Sequence, residues 1–314
     1  MNSREIFNPP DTTELTVLSY GAGQDSTAIL IKLIHDQEFR NNYLKGKLLV
    51  LFSDTLNEHP HTYQYLNYIQ KICKTNHIEF TWLKPEMGYH PDSWSGGLEG
   101  HYQKYNVIIS KAMRRKSCSS ALKIQPIYNY LSEYVNKEFL YGLSQPKQKI
   151  ALKDYAIRYG KIRVLIGISS EEASRRIKEG SFSKWMDIAI EKRYPLVDIK
   201  YGRSDCQKYI RRSDYQVPYP SNCIMCPFAS RKDILWLHRN HPEQLRQWFR
   251  HEQNKLSKFR DQQALRGQNN HTVFGHDLTL DDILQEAINE FGHLTNSELS
   301  HDKFSHGHCV QTSY

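Results

Sequence analysis

Apolar residues in this 314-residue chain follow two alternating rhythms. Short β-favouring runs fall at residues 15–18, 47–54, 78–83 and 162–169, the second being the nearly continuous KLLVLFSD. Between them, apolar positions recur at helical spacing: Ala28, Ile29, Leu30, Ile31, Leu33 and Ile34 after the first run, and Tyr65, Ile69 and Ile72 within residues 60–76. Continuous apolar strands alternating with amphipathic helices predict an α/β domain, a doubly wound and mostly parallel sheet covered by helices. Ligands of such sheets sit beyond the carboxyl ends of the strands. Asp25, Asp54 and the turn after Leu83 are therefore expected to share one crevice. The pattern divides the chain into a flexible leader (1–13), an α/β domain (14–200), a helical, cysteine-bearing region (201–292) and a mobile, His-bearing tail (293–314).

The stretch on which the first domain turns is residues 15–26, LTVLSYGAGQDS. Strand, glycine loop and helix in succession bring backbone N–H groups and a helix N-terminus onto one point, the arrangement that binds anions. Gly21 and Gly23 allow close approach, and Ser26 can cap the helix and face the same anion. Spacing alone fits a phosphate loop and a plain β–α turn equally, and it matches neither GxGxxG nor GxxxxGK[ST]. Asp54 at a strand end can bind Mg²⁺ or a nucleotide hydroxyl, or it can begin a helix cap with Thr55 and Glu58. The basic cluster Lys111, Arg114, Arg115 and Lys116 reads either as a phosphate-facing lid or as a solvated helix face. Glu172 and Arg175, three apart, share a helical face.

Six cysteines change the picture of the second half. Cys223-x-x-Cys226, followed by Pro227, puts two thiolates on one turn, as Zn²⁺ and iron–sulfur centres require. Cys206 and Cys118 are the candidates for a third and fourth ligand, while Cys73 lies in a helix and Cys309 in the tail. Trp236, His238, Trp248 and Phe249 punctuate the closing helices, which either cover the sheet or line a nucleic-acid groove. Lys and Arg exceed Asp and Glu by 42 to 34, a net charge of +8, with a pI near 9.0. That excess favours anionic partners, nucleic acid among them. No run of 18 apolar residues and no signal peptide is present, so the expectation is a cytoplasmic protein that does not enter a membrane and keeps its thiols reduced.

The first loop resembles the pyrophosphate loop of the PP-loop ATP pyrophosphatase superfamily, whose core pattern is SGGxDS. Ser19, Gly21, Gly23, Asp25 and Ser26 match; Ala22 stands as an extra residue or in a glycine's place, and Gln24 where several subfamilies carry lysine. Four further segments resemble the phosphoadenosine-phosphosulfate (PAPS) reductase-like branch. They are D-T-x-x-E-x-P-x-T (Asp54, Thr55, Glu58, Pro60, Thr62), the cysteine–lysine–proline element (Cys118, Lys123, Pro126), G-x-x-x-x-E-x-x-R (Gly167, Glu172, Arg175), and R-x-D-C-x-x-x-I followed by C-x-x-C-P-F (Arg203, Asp205, Cys206, Ile210, Cys223, Cys226).

The resemblance implies a HUP-type sheet similar to that of the adenine nucleotide alpha hydrolases. It places ATP phosphates on Ser19, Gly21, Ala22, Gly23, Gln24 and Ser26, and assigns Asp25 to Mg²⁺. Asp54, Glu58 and Glu172 would lie at the nucleotide, and Lys123 and Arg175 would neutralise charge. It further implies a [4Fe-4S] cluster, or Zn²⁺ in its place, on Cys118, Cys206, Cys223 and Cys226, as in the DndC-like enzymes of DNA phosphorothioation. The corresponding activity is adenylation of a nucleic acid, DNA or tRNA, with pyrophosphate release and sulfur transfer from a cysteine desulfurase or another donor. A PAPS or adenylylsulfate reductase is the alternative. Against it stand the tail His306-Gly307-His308-Cys309, which lacks Glu-Cys-Gly, and Ser119, where cluster-bearing reductases have a second cysteine. A non-catalytic nucleotide- or nucleic-acid-binding module is the third reading.

Overall fold

The computed structural model describes residues 14–112, 117–176, 183–259 and 271–305. The expected leader, Arg114, Arg115 and Lys116 of the basic cluster, and His306, His308 and Cys309 lie outside the described residues. Five strands, β1 (Leu15–Ser19), β2 (Lys47–Ser53), β3 (Glu79–Leu83), β4 (Ile162–Ile166) and β5 (Ile190–Arg193), form one sheet in the order β3-β2-β1-β4-β5. Every neighbouring pair is parallel. The predicted α/β sheet is thus present. β5 was not legible in the hydrophobic pattern, because IEKR is three-quarters charged. It is held at the sheet edge by backbone pairing with β4 and by the cross-strand ion pair of Arg163 with Glu191, 3.1 Å.

The first helices are α1 (Gln24–His35), α2 (Gln37–Tyr43), α3 (Pro60–Thr75) and α4 (Gly97–Tyr105). The short α5 (Ser117–Ser119) runs through a π-turn (Ser120–Ile124) into α6 (Gln125–Glu138). There follow α7 (Ile150–Tyr159), α8 (Lys184–Ala189), α9 (Pro195–Asp198), α10 (Arg203–Arg212), α11 (Arg231–Asn240) and α12 (Pro242–Lys258). Two last helices span Leu280–Phe291 and Asn296–Ser305. No described helix is long and apolar enough to cross a membrane.

Successive strand residues point to opposite faces, and the core divides accordingly. Val17, Leu49, Leu51 and Val164 pack with α6 and α7 on one face. Leu18, Val50, Phe52 and Leu165 pack with α1, α3 and α10 on the other. A third cluster joins α4, α11, α12 and Leu280–Phe291 around Met225 and Trp248. The boundary expected at residue 200 needs correction, because Cys206 and Ile210 bury α10 against the α1 face of the sheet. The expected mobile tail also changes: Asn296–Ser305 is a helix tied to α11 through Trp236 Nε1 to Ser300 Oγ, 3.0 Å, and a buried ion pair of Lys303 with Asp233, 3.3 Å.

With β1 flanked by β2 and β4, the chain leaves β1 and β4 toward opposite faces. The crevice at this reversal is where such sheets bind ligands. Just beyond β4, Gly167 packs on the start of α1: a Cβ there would lie 2.8 Å from the Ser26 backbone nitrogen. Gly167→Ala is expected to cost about 1–3 kcal/mol by overpacking, read as a lower urea midpoint. An unchanged midpoint would show that the two segments separate without strain.

Candidate active site

The loop between β1 and α1 is closed by its own atoms. Tyr20 N extends the strand to Leu51 O, 2.9 Å. Ser26 Oγ accepts from Gly21 N at 3.2 Å and donates to Gly23 O at 3.2 Å. Gly23 is the N-cap of α1 and no side chain caps the helix, so its first amides are available to an anion. Ala22 takes φ +57°, a region that costs an alanine more than a glycine. Its side chain is buried beneath the loop rather than at the cleft. Gln24 borders the cleft, yet its amide is engaged elsewhere: Nε2 donates to Pro218 O (3.1 Å) and Phe304 O (3.3 Å), and Oε1 accepts from Gln207 (3.0 Å).

Ser19, Gly21, Gly23, Gln24, Asp25 and Ser26 line a cleft that also reaches Lys123, Glu172 and Arg175. The cleft has a cavity volume of about 150 Å³ and is open to solvent on one side. Arg203, Gly167 and Ser221 line it as well. Of these, Arg203 is the charged group that sequence reasoning did not assign to the site; its signal was the R-x-D-C segment. Glu172 and Arg175 sit on a 3₁₀ turn (Ser170–Arg175), where residues three apart are eclipsed. Glu172 bridges Arg175 and Arg203, the latter at 3.5 Å. Asp25 has a fully buried Oδ1 with no hydrogen-bond partner. Burial pushes its pKa up to about 6, with Glu172 adding to the rise, while Arg203, the Ser169 amide and Arg175 oppose it.

Asp54 and Glu58 do not reach this cleft, which corrects their expected place at the nucleotide. Asp54 Oδ1 accepts from Leu56 N (2.8 Å) and Tyr63 OH (3.0 Å), and Oδ2 from Trp82 Nε1 (2.8 Å). Its carboxylate organises the turn after β2 but does not cap α3, whose N-cap is His59 with no side-chain cap, so the expected capping role is corrected as well. Glu58 accepts from Thr55 Oγ1 at 3.0 Å and pairs with Lys123 Nζ at 3.3 Å.

Behind Lys123 lies a second, apolar pocket lined by Cys118, Cys223, Cys226, Tyr102, Phe228 and Lys123 itself. The turn after β2 builds it: Asn57 accepts Ile224 N at 2.7 Å and Met225 N at 2.9 Å, and Glu58 forms a β-bridge with Cys223. Cys223 Sγ lies 3.5 Å from Thr55 Oγ1 and 3.7 Å from Glu58 Oε1. Burial, reinforced by the Glu58 carboxylate, holds its thiol well above the ordinary value. Cys206 is elsewhere, buried under α10 on the α1 face and near Asp25. Three cysteines rather than four therefore share the pocket. Among the described residues no three His, Cys, Asp or Glu side chains take an arrangement that holds a metal ion. As arranged, the donor set does not fit a four-cysteine centre.

Two expectations follow. Because the folded-state pKa of Asp25 is raised, its contribution to stability is complete below about pH 4, the unfolded value, and is lost as pH rises through about 6. Asp25→Asn should then be more stable than the parent at pH 8, by at most about 3 kcal/mol, with the gap closing below about pH 4. Urea unfolding across this range measures it, and equal stabilities at pH 8 would refute the burial argument. Cys206→Ser should leave the iron, sulfide and zinc content of anaerobically purified protein unchanged, since Cys206 does not reach the pocket; a loss of metal would make it a ligand.

None of the curated proteins matches this chain. Among solved structures, the phosphoadenylyl-sulfate (PAPS) reductase from Candida auris, in a phosphate complex, aligns with 13% identity and a TM-score of 0.34 over 66% of this chain and 75% of its own. That likeness is too weak to carry a structural argument. The family model "Phosphoadenosine phosphosulfate reductase domain" matches residues 15–220, well over half of the chain and all five strands. The match takes in the glycine loop, Lys123, the Glu172–Arg175 turn and α10, so the chain belongs to the PAPS reductase domain family.

Proposed function

We propose that this chain is an ATP-dependent PP-loop enzyme that adenylates a nucleic-acid acceptor and releases pyrophosphate. One observation carries the reading: the uncapped N-terminus of α1 and the cations Lys123, Arg175 and Arg203 border a single cleft at the reversal of strand order. Backbone amides and three cations suit a polyphosphate, and Phe52, Ile127 and Ile166 offer the same cleft an apolar wall for a base. The buried, unpartnered Oδ1 of Asp25 fits a divalent cation. Asp25 would hold Mg²⁺, which when bound would supply charge neutralisation at the phosphates.

An acceptor oxygen attacking the α-phosphorus forms one P–O bond and breaks the bond to the bridging oxygen. Pyrophosphate leaves with the electron pair, the acceptor proton passes to solvent, and an adenylate remains. Catalysis is positioning plus charge stabilisation by Lys123, Arg175 and Arg203. The net charge of +8 supports a nucleic-acid acceptor. A DndC-like transfer of sulfur from a cysteine desulfurase or another donor, with release of AMP, is the finer form of the proposal. It draws support from the three thiols behind Lys123, the residue common to both pockets.

The family's description favours one other reading, a reductase that binds PAPS in the same cleft and releases sulfite. Pyrophosphate release from ATP, measured beside sulfite release from PAPS, separates the two. Pyrophosphate is expected, with kcat/KM reduced about 100-fold or more in Lys123→Ala or Arg175→Ala. Sulfite without pyrophosphate would overturn the proposal.

A further inference from the structure

The basic excess of the chain is unevenly placed. Residues 200–212 hold Lys200, Arg203, Lys208, Arg211 and Arg212 against the single acid Asp205, half of the net +8. The helix Leu280–Phe291, by contrast, carries four acids and no base. On α10, Cys206 and Ile210 face the core while Lys208, Arg211 and Arg212 are exposed. Asp205 is occupied as the helix cap, accepting from Gly202 N at 3.0 Å. Lys208, Arg211 and Arg212 have no carboxylate partner among the described residues. Arg203, in the first turn, borders the cleft. The cations therefore extend outward from the cleft for roughly 14 Å, at 1.5 Å per residue.

An aromatic ledge returns from the far end of this helix to the same cleft. The Arg211 guanidinium lies 6.0 Å from the Phe304 ring, and Phe304 meets Tyr219 edge-on at 5.3 Å. Tyr219 is 40% exposed and backed from within by His61 at 5.1 Å. It directly precedes Pro220 and Ser221, which line the cleft, and Ser221 donates to Gly21 O of the glycine loop. An exposed row of cations alone is an ordinary solvated face. Cations without a carboxylate partner that run from the cleft beside an exposed, rigidly backed ring are the parts that grip single strands: charge for the backbone and a π-face for a base.

We infer that Lys208, Arg211, Arg212 and Tyr219 form the seat of a single-stranded nucleic acid, its phosphates along α10 and a base stacked on Tyr219, so that the strand enters the cleft past Ser221. The inference rests on the reading of the cleft as a nucleotide site that serves a nucleic-acid acceptor. A single strand is specified because a stacking contact with one exposed ring needs an unpaired base.

The test uses the full chain and a fluorescein-labelled oligothymidine of about 12 nucleotides, with anisotropy followed over a salt series and ATP affinity measured in parallel. Lys208→Ala/Arg211→Ala/Arg212→Ala is expected to flatten the log–log salt slope by about 2, at about 0.7 per lost phosphate contact on single strands. Its ATP affinity and thermal midpoint should stay those of the parent. Tyr219→Ala should weaken binding about ten-fold or more with the slope unchanged, and Tyr219→Trp should restore it. The inference is overturned if the parent binds no oligonucleotide, if it prefers the duplex, or if both variants bind as the parent does. It is also overturned if polyglutamate competes and binds independently of Tyr219, which would make this the seat of an acidic protein. Normal ATP affinity alongside any of these results leaves the cleft reading standing; loss of ATP binding in the parent removes that reading instead.

Discussion

The cleft depends on how closely two backbone segments can approach. β1 and β4 lie side by side and parallel, and their connections leave toward opposite faces. The turn after β4 must then pass over the N-terminus of α1, and it does so where Gly167 leaves no room for a methyl group above the Ser26 amide. From this approach follows the rest of the anion site. The 3₁₀ turn carrying Glu172 and Arg175 is held above the loop, Asp25 is enclosed beneath it, and Arg203 is drawn in from α10 through Glu172. Bulkier residues at position 167 would lift that turn and open the charge cluster to water, where each ion pair is worth far less.

A second constraint sets the opposite wall. The turn after β2 contributes no side chain to the cleft, yet it fixes what stands beside it. Asp54 is fully occupied in shaping the turn, Asn57 receives the CxxC segment, and Glu58 is buried against Lys123. Lys123 itself sits in a π-turn between α5 and α6, a local distortion common at functional positions. It thereby borders both the phosphate cleft and the cysteine pocket. A buried carboxylate needs a cation nearby, so Glu58 ties the place of Lys123 to the segment that carries Cys223.

Much of this was legible in the chain. The apolar runs located four of the five strands, and the glycine spacing located the loop, because strand burial and tight turns are set by residues close in sequence. The spacing of Glu172 and Arg175 predicted a shared face, and they share it on a 3₁₀ turn rather than an α-helix. β5 escaped because an edge strand needs a partner more than it needs apolar residues, and its partner, β4, lies more than twenty residues earlier.

By itself, then, the sequence determined the strand and helix periods, the loop between β1 and α1, and the set of charged and sulfur-bearing residues available for chemistry. Only the tertiary structure decided how that set divides. It sent Cys206 to the α1 face with α10 and the other three cysteines to a pocket behind Lys123. It turned Asp54 and Glu58 into supports and added Arg203 to the cleft. The physical reason is that spacing along the chain records which residues are neighbours on one element. The face of the sheet on which that element packs is settled by distant apolar contacts, such as Cys206 and Ile210 in the cluster shared with α1.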